Sequence, residues 1–435
     1  MKILSITAGA ASMYCGSCLR DNALAAELLR RGHDVTLMPV YTPTLTDEVN
    51  VSSSSPVLFG GISVYLEQYV PLFRHTPRLL DRLWDAAPVI RAIAGRSMKT
   101  DPRLLGEMTV SMLKGEHGHQ KKEFDKLVDW LRHEPPPDIV NIPNSLVISM
   151  AGPIRRTLNR PVVVTMQGED LFLDGLGEPY RTQSLELIRQ QIPDVDGFIA
   201  VSEFYVERMH RFLGIPLDKI AVVPLGINTD GYAGPRPAEP GFRLGYFARI
   251  APEKGLYELA ETYRVMRHDK GLPPSRLEAA GYLGAEHKPY LARVERSLRD
   301  WGLAGEFRYH GAVDREQKIA FLRSLDVLSV PGPYPDPKGT YLLEAMAAGT
   351  PVVQPRRGAY VEIVDRTGGG LLVEQTADAL ADGLMQLAGD GQLARTLGER
   401  GRRGVEQHYG VAREADRILD VYAQVARGAS LREAS

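Results

Sequence analysis

Residues 330–353 decide the fold and read VPGPYPDPKGTYLLEAMAAGTPVV. The apolar run 327–330 is typical of a buried strand, and strong helix formers occupy 342–348 after a loop rich in Pro and Gly. Gly349 is expected to end that helix, and a second strand is expected from Pro351. A strand, a loop and a helix in this order are typical of open α/β sheets, whose ligands lie beyond the carboxyl ends of the strands.

The loop and the first turn of this helix carry groups that suit a sugar nucleotide. Gly339 and Thr340 lie at the expected helix N-terminus, where backbone N–H groups favour an anion. Asp336 and Glu344 are two carboxylates that can accept hydrogen bonds from sugar or ribose hydroxyls. On spacing alone, an ordinary strand–loop–helix unit with no ligand explains these residues equally well.

The same segment resembles the E-x7-E region of retaining glycosyltransferases with the GT-B fold, above all glycosyltransferase family 4. Asp336 stands where the family usually has its first Glu, Glu344 matches the second, and LLEAMAAGTPVV is the most specific part of the similarity. The resemblance implies transfer of a glycosyl group from a nucleotide-diphosphate sugar to an acceptor hydroxyl, in glycan or glycoconjugate biosynthesis. It also implies that Glu344 binds the ribose and that Asp336 binds the transferred sugar.

Length and composition indicate a two-domain globular protein. The chain has 435 residues, of which 44% are hydrophobic and 24% charged. A net charge of −2 gives no general attraction to nucleic acid, so no nucleic acid partner is expected. The first residues read as a core strand rather than a signal peptide, and no apolar run reaches the length of a membrane span. We therefore expect a cytoplasmic protein.

Repeated strand–helix units in both halves of the chain predict an α/β protein with parallel sheets. The stretch 233–241, AGPRPAEPG, reads as a linker. We expect a GT-B fold, in which Rossmann-like domains 1–232 and 242–410 face each other across a deep cleft and the second holds the sugar nucleotide. The resemblance implies that a helix at 411–427 returns to the first domain.

An insertion interrupts the strand–helix pattern over residues 51–137, and basic side chains predominate within 71–105. A solvated helical face explains this charge pattern. The alternative is a surface that contacts an anionic glycan, a lipid phosphate or the inner face of the membrane peripherally. A glycan, a lipid-linked molecule and a small molecule are therefore all open as acceptors.

Two cations, Arg249 and Lys254, follow the first strand of the second half in the run RIAPEKG. Both can balance a diphosphate, although two solvated surface cations are the plainer interpretation. The run resembles the family loop G-R-x-x-x-x-K-G, which implies that Arg249 and Lys254 hold the donor diphosphate. His310 and Gly311 resemble the family segment that lies next to the nucleotide base.

In the first half, Gln167 follows the expected strand 162–166, where the family usually has a His close to the transferred sugar. Gln can bond a sugar hydroxyl but does not titrate near neutral pH. Gly16 lies in a loop that resembles the glycine-rich loop near the donor phosphate. Because Gln167 and Asp336 depart from the family pattern, a weak or inactive nucleotide-sugar-binding protein stays open, as does an epimerase or phosphorylase of the same fold.

Two short motifs suggest metals only superficially. Cys15 and Cys18 form a C-x-x-C pair, for which we expect a packing or loop role and keep a redox or metal role as the alternative. Asp194 and Asp196 form a D-x-D triplet, which we interpret as a turn before a strand. His117 and His119 lie in a Lys-rich polar stretch that we interpret as a loop. Because Arg249, Lys254 and the helix N-terminus can balance the diphosphate, we expect neither a metal nor another cofactor in the transfer.

Overall fold

A computed structural model describes residues 1–9, 16–52, 57, 59–69, 73–74, 102–235, 241–428 and 431. The chain forms two compact units, of which one comprises Met1–Pro224 with Glu414–Ser435 and the other Leu225–Arg413. The second unit thus begins ahead of the Pro- and Gly-rich stretch 233–241. Cys15 and most of the basic region 71–105 lie outside the described residues.

The strands are β1 (Lys2–Thr7), β2 (Asp34–Pro39), β3 (Ile139–Ile142), β4 (Val162–Met166), β5 (Gly197–Ala200), β6 (Ile220–Val222), β7 (Arg243–Phe247), β8 (Arg276–Ala280), β9 (Phe307–Tyr309), β10 (Val327–Leu328), β11 (Val352–Pro355) and β12 (Gly370–Val373). In the described chain they pair in parallel as two six-stranded sheets, with orders β2-β1-β3-β4-β5-β6 and β12-β11-β10-β7-β8-β9. The expected parallel α/β architecture is confirmed. The short strand β6 was not predicted.

The helices of the first unit are Gly16–Arg30, Gly61–Tyr69, Pro102–Leu113, Lys121–His133, Ala151–Leu158, Asp170–Asp174, Tyr180–Gln191 and Glu203–Leu213. Those of the second unit are Leu256–Arg264, Lys288–Asp300, Arg315–Ser324, Thr340–Ala347, Tyr360–Thr367, Ala377–Gly389 and Gly391–His408, and Val411–Ala426 follows. Short 3-10 turns join several of them. Since helices follow most of the strands, each sheet is covered as a parallel sheet requires.

The core of the first unit forms where apolar strands meet helices. Every residue of β3 and β4 is buried, as expected for central strands with both faces covered. The helix Val411–Ala426 adds Ile418 and Tyr422 to the same cluster as Ile3 and Val163. Its Glu414 is buried and pairs with Arg20, so the charge of each side chain is compensated inside the unit.

The second sheet has a topological switch point between β7 and β10. Its strand order is that of a dinucleotide-binding fold, because β8 and β9 lie on one side of β7 while β10, β11 and β12 lie on the other. Chain connections leave β7 and β10 in opposite directions, which opens a crevice at the carboxyl ends of these two strands. The cations after β7 and the Pro- and Gly-rich loop after β10 both begin at this edge.

The described part of the insertion has a buried acidic pair. Glu67 and Glu123 are almost fully buried on the helices Gly61–Tyr69 and Lys121–His133. Burial, followed by repulsion from Glu123, raises the pKa of Glu67 to about 8, although Lys126 and Lys122 act in the opposite direction. Glu67 is therefore protonated in the folded protein at pH values where the unfolded chain ionises it.

Glu67→Gln is expected to stabilise the protein at pH 8 by a few kcal/mol and to change little at pH 4. A raised carboxyl pKa means that wild-type stability falls as pH rises from about 4.5 to about 8, because only the unfolded state releases the proton freely. Urea unfolding of both proteins across this range measures the difference. The exposed Glu134→Gln serves as the control, and a variant that is equally destabilised at both pH values would contradict the prediction.

Candidate functional site

The loops after β7 and β10 pack backbone against backbone at the switch point. A Cβ atom on Gly255 would lie 2.7 Å from the carbonyl oxygen of Pro331, and one on Gly332 would lie 2.4 Å from that of Glu253. Gly255 also has a φ of +77°, in the left-handed region. Only glycine allows this approach without displacement, and it brings Lys254 beside the second loop.

Lys254 forms an ion pair with Asp336, which lies in that second loop. The two side chains are 17% and 3% exposed. Burial alone would raise the pKa of Asp336, but the charge of Lys254 and the hydrogen bonds donated to the carboxylate hold it below its usual range. Asp336 is therefore ionised at all ordinary pH values, and Lys254 is its counter-ion.

The carboxylate of Asp336 accepts hydrogen bonds from four groups of the chain. Its Oδ1 accepts hydrogen bonds from the N–H groups of Lys338, at 2.9 Å, and Gly339, at 3.3 Å. Its Oδ2 accepts from Lys254 Nζ and from Tyr341 Oη, the latter at 3.1 Å. A carboxylate has about four lone-pair positions, so groups of the chain itself can satisfy them all in this arrangement.

Arg249 lies at the exposed side of the same edge. Its guanidinium pairs with Glu253, four residues along the loop, and its side chain is 42% exposed. An ion pair with this much exposure contributes little to stability and can be exchanged for another anion. The structure thus combines one exposed cation with one that is largely buried and held in place.

The helix Thr340–Ala347 begins four residues after Asp336, the partner of Lys254. Gly339 is its N-cap in the left-handed conformation, with φ +56° and ψ +30°. The first N–H groups of a helix have no partner within the helix, and they point away from its N-terminus. Lys254 and the positive end of this helix therefore occupy the same edge of the second sheet, as the sequence predicted.

Glu344, one turn into the helix, has two partners that sequence reasoning missed. Its Oε1 accepts from Lys318 Nζ at 2.7 Å and from Tyr232 Oη at 3.3 Å. Burial, and then the charge of Glu344, raises the pKa of the Tyr232 hydroxyl, so Tyr232 stays a neutral donor. Lys318 lies in the polar helix Arg315–Ser324, where nothing in the sequence distinguishes it from a solvated lysine.

His310 and Gly311 follow β9, two strands away from β7. His310 Nε2 lies 2.6 Å from Oε2 of the buried Glu278, and its backbone N–H donates to the Ala279 carbonyl at 2.8 Å. The Gly311 carbonyl accepts from the N–H of Gly281 at 2.9 Å. The buried carboxylate thus fixes the imidazole, another contact that the sequence did not reveal.

Gln167 and Gly16 belong to the first unit. Gln167 is buried; its N–H donates to Glu169 at 2.7 Å, and its Nε2 donates to the Pro143 carbonyl at 3.2 Å and to Asp21 at 3.4 Å. Within the described ranges its Oε1 has no hydrogen-bond partner, which leaves one acceptor for a ligand hydroxyl. Gly16 is exposed at the start of the helix Gly16–Arg30.

The described residues of the two motifs that suggested metals occupy ordinary positions in the fold. Asp196 accepts from the N–H of Val162 at 2.8 Å and pairs with Arg155 at 2.7 Å, just before β5, in agreement with a turn. Cys18 is buried in its helix. Among the residues whose placement is described, no three His, Cys, Asp or Glu side chains are grouped as a metal site. In the same residues, no helix is both long and apolar enough to cross a membrane.

Two protein-family models match this chain. Residues 110–230 match the family model described as Glycosyltransferase Family 4, and residues 235–404 match the one described as Glycosyl transferases group 1. The chain belongs to the family 4-like, group 1 glycosyltransferases. The first match lies almost wholly in the first unit, and the second includes the loops around Lys254 and Asp336.

Individual relatives are similar over different lengths. A D-inositol 3-phosphate glycosyltransferase of Xylanimonas cellulosilytica is 28% identical over 55% of this chain and 59% of that protein, so the chain spans little more than half of its length. A GDP-mannose-dependent alpha-(1-6)-phosphatidylinositol monomannoside mannosyltransferase of Mycolicibacterium smegmatis is 26% identical over 81% of this chain and 92% of that protein.

Among solved structures, a sucrose-phosphate synthase from Thermosynechococcus elongatus superimposes with a TM-score of 0.71 at 18% identity, over 99% of this chain and all of that one. This likeness concerns the fold. With the two parallel sheets, it confirms the predicted two-domain, Rossmann-like GT-B fold of this chain.

Proposed function

We propose that this chain transfers a glycosyl group from a nucleotide-diphosphate sugar to an acceptor hydroxyl, with retention of the anomeric configuration. The observation that carries the proposal is the meeting of Lys254 and the N-terminus of the helix Thr340–Ala347 at the switch point of the second sheet. A fixed cation and a helix N-terminus together favour an anion such as a diphosphate. Membership of the family supports the same reading.

In this proposal the donor lies along the carboxyl edge of the second sheet. Arg249 and Lys254 balance the diphosphate, with Arg249 exchanging Glu253 for a phosphate oxygen. The N–H groups that follow Gly339 bind the same group, and Glu344 accepts hydrogen bonds from the ribose hydroxyls. The backbone at His310 and Gly311 borders the base.

The reaction breaks the bond between the anomeric carbon and a diphosphate oxygen, and both electrons stay on that oxygen. Charge therefore grows on the diphosphate as the bond lengthens, and Lys254, Arg249 and the helix N-terminus stabilise it. The acceptor oxygen forms the new bond on the same face of the sugar. Its proton passes to the departing diphosphate, so no side chain is needed as a covalent nucleophile.

The first acceptors to test are phosphorylated and lipid-linked inositols. One relative is named for D-inositol 3-phosphate and another for a phosphatidylinositol monomannoside, and the latter uses GDP-mannose. A hydroxyl-rich acceptor or sugar suits Oε1 of Gln167 in the first unit, which has no hydrogen-bond partner among the described residues. Cytoplasmic location and peripheral membrane contact through residues 71–105 belong to this proposal.

Transfer is expected to proceed unchanged after treatment with a chelator, because fixed cations and backbone dipoles do the work of a metal at the diphosphate. The protein is incubated with a panel of labelled sugar nucleotides and inositol acceptors, with and without EDTA. The anomeric configuration of the product is determined by NMR. Activity lost with EDTA and restored by Mn²⁺ or Mg²⁺ would contradict metal independence.

Other results of the same assay favour the rival functions. Tight binding of a sugar nucleotide without transfer to any acceptor would indicate a binding protein. This alternative is retained because Gln167 and Asp336 differ from the residues that the family usually has at these positions. Turnover of the sugar nucleotide without an acceptor would indicate an epimerase, and turnover that requires phosphate would indicate a phosphorylase. An inverted product would overturn the retaining mechanism.

A further inference from the structure

Asp336 joins three loops at the carboxyl edge of the second sheet. Its carboxylate binds Lys254, from the loop after β7, and its backbone carbonyl accepts from the N–H of Ala359, after β11, at 2.9 Å. The hydroxyl of Tyr341 bonds both Asp336 and the hydroxyl of Tyr360. All of these side chains except Lys254 are more than nine-tenths buried.

The short side chain of Asp336 closes a local turn of the backbone that the longer side chain of Glu cannot close in the same way. Its Oδ1 accepts from the backbone N–H groups two and three residues ahead, which is the geometry of an Asx turn. This turn sets the direction of the chain at Gly339, where the helix begins. Glu in this position would carry its oxygens one methylene further and lose the local turn.

The charge of Asp336 has a second effect, because it holds Lys254 in place. The ammonium group lies between the carboxylate and the face of Tyr341, with Nζ 5.3 Å from the ring centroid. A lysine side chain has several rotatable bonds, so an ion pair that fixes it removes the entropy cost of ordering it when an anion binds. Asp336 thus arranges both positive elements of the edge, Lys254 and the helix N-terminus.

We infer that Asp336 is a positioning residue, which holds Lys254 and the helix N-terminus towards the diphosphate and makes no contact with the transferred sugar. This inference rests on the proposed function, since it assigns the diphosphate to that edge. It differs from the role that the family pattern gave to this carboxylate, and the two roles predict different ligand selectivity. A sugar contact affects only ligands that carry the sugar, whereas positioning affects every diphosphate ligand.

The test titrates Asp336→Asn and Asp336→Ala by calorimetry with four ligands: UDP, GDP, UDP-glucose and GDP-mannose. If Asp336 positions Lys254 and the helix N-terminus, each variant weakens the binding of the free nucleoside diphosphate and of its sugar derivative by the same factor, roughly 10-fold or more. Asp336→Asn, which keeps an acceptor for the Asx turn, should retain more affinity than Asp336→Ala. It should also lower kcat, because Lys254 then loses its fixed place near the diphosphate.

Asp314→Ala is the matched control. Asp314 likewise accepts a backbone N–H three residues ahead, from Gln317 at 2.9 Å, and caps a helix of the same unit. Asp314→Ala should lower the free energy of unfolding without changing the affinity for the nucleoside diphosphates or for their sugar derivatives. Weakening of the sugar derivatives alone would overturn the positioning role, and so would unchanged affinity for all four ligands. If wild type binds none of them, the proposed function fails first, which is a separate outcome.

Discussion

Replacing Lys254 with Met is expected to lower kcat by a factor on the order of 10² to 10³. Met has a similar length but no charge, so the diphosphate loses its fixed cation as negative charge accumulates on it. The same change leaves Asp336 buried and ionised without a counter-ion, which costs about 3–5 kcal/mol of the free energy of unfolding. Steady-state kinetics and urea unfolding measure the two effects independently.

A double variant separates these effects. Lys254→Met combined with Asp336→Asn removes both charges of the buried pair, so much of the lost stability should return while transfer stays slow. Lys270→Ala is the control for the loss of a lysine in this unit, because Lys270 pairs with Asp382 at the surface. A Lys254→Met protein with wild-type kcat would contradict the assignment of Lys254 to the diphosphate.

Replacing Glu344 with Ala is expected to weaken the binding of nucleoside diphosphates and of sugar nucleotides alike, by roughly 10- to 150-fold. A hydrogen bond between ribose and a charged acceptor is worth about 1.5–3 kcal/mol, and the ribose is common to both ligands. The variant also leaves the buried Lys318 without its carboxylate, so some loss of stability should accompany the loss of affinity.

Lys318→Met distinguishes the two consequences of Glu344→Ala, the loss of the ribose contact and the loss of stability. It breaks the same 2.7 Å ion pair from the other side and should destabilise the fold comparably, yet it keeps the carboxylate that would bind ribose. Its affinity for the nucleoside diphosphate should stay within a few-fold of wild type. Equal affinity losses in both variants would show that Glu344 acts only through the integrity of the fold.

Much of the fold could be predicted because its signals are local. The central strands β3 and β4 are short apolar runs with both faces buried, and apolar positions recur along Val411–Ala426 at helical spacing. The strand β6 was missed, since three residues before a Pro- and Gly-containing loop carry too little pattern. The loop that follows β10 was placed correctly because Pro, Gly and a helix-forming run occur in order.

The site was only partly predictable, because its decisive contacts are distant in sequence. Lys254 and Asp336 lie 82 residues apart, and their pairing follows from the adjacency of β7 and β10 in the sheet. Their positions in separate motifs predicted a ligand contact for each, and nothing in the sequence indicated that the two side chains also pair with each other. Lys318 gave no signal, since a lysine in a polar helix reads as solvated until the packing of that helix is known.

Binding of nucleoside diphosphates tests the central claim most directly. Thermal unfolding of the wild-type protein is followed with UDP, GDP, ADP and their sugar derivatives over a range of concentrations. A ligand that binds only the native state stabilises it by RT ln(1 + [L]/Kd), about 2.7 kcal/mol at a hundredfold excess over Kd. We predict that at least one base gives such a shift both as the diphosphate and as the sugar nucleotide, and that Lys254→Met reduces both. No shift with any of these ligands at millimolar concentration would contradict the assignment of the second unit to a sugar nucleotide.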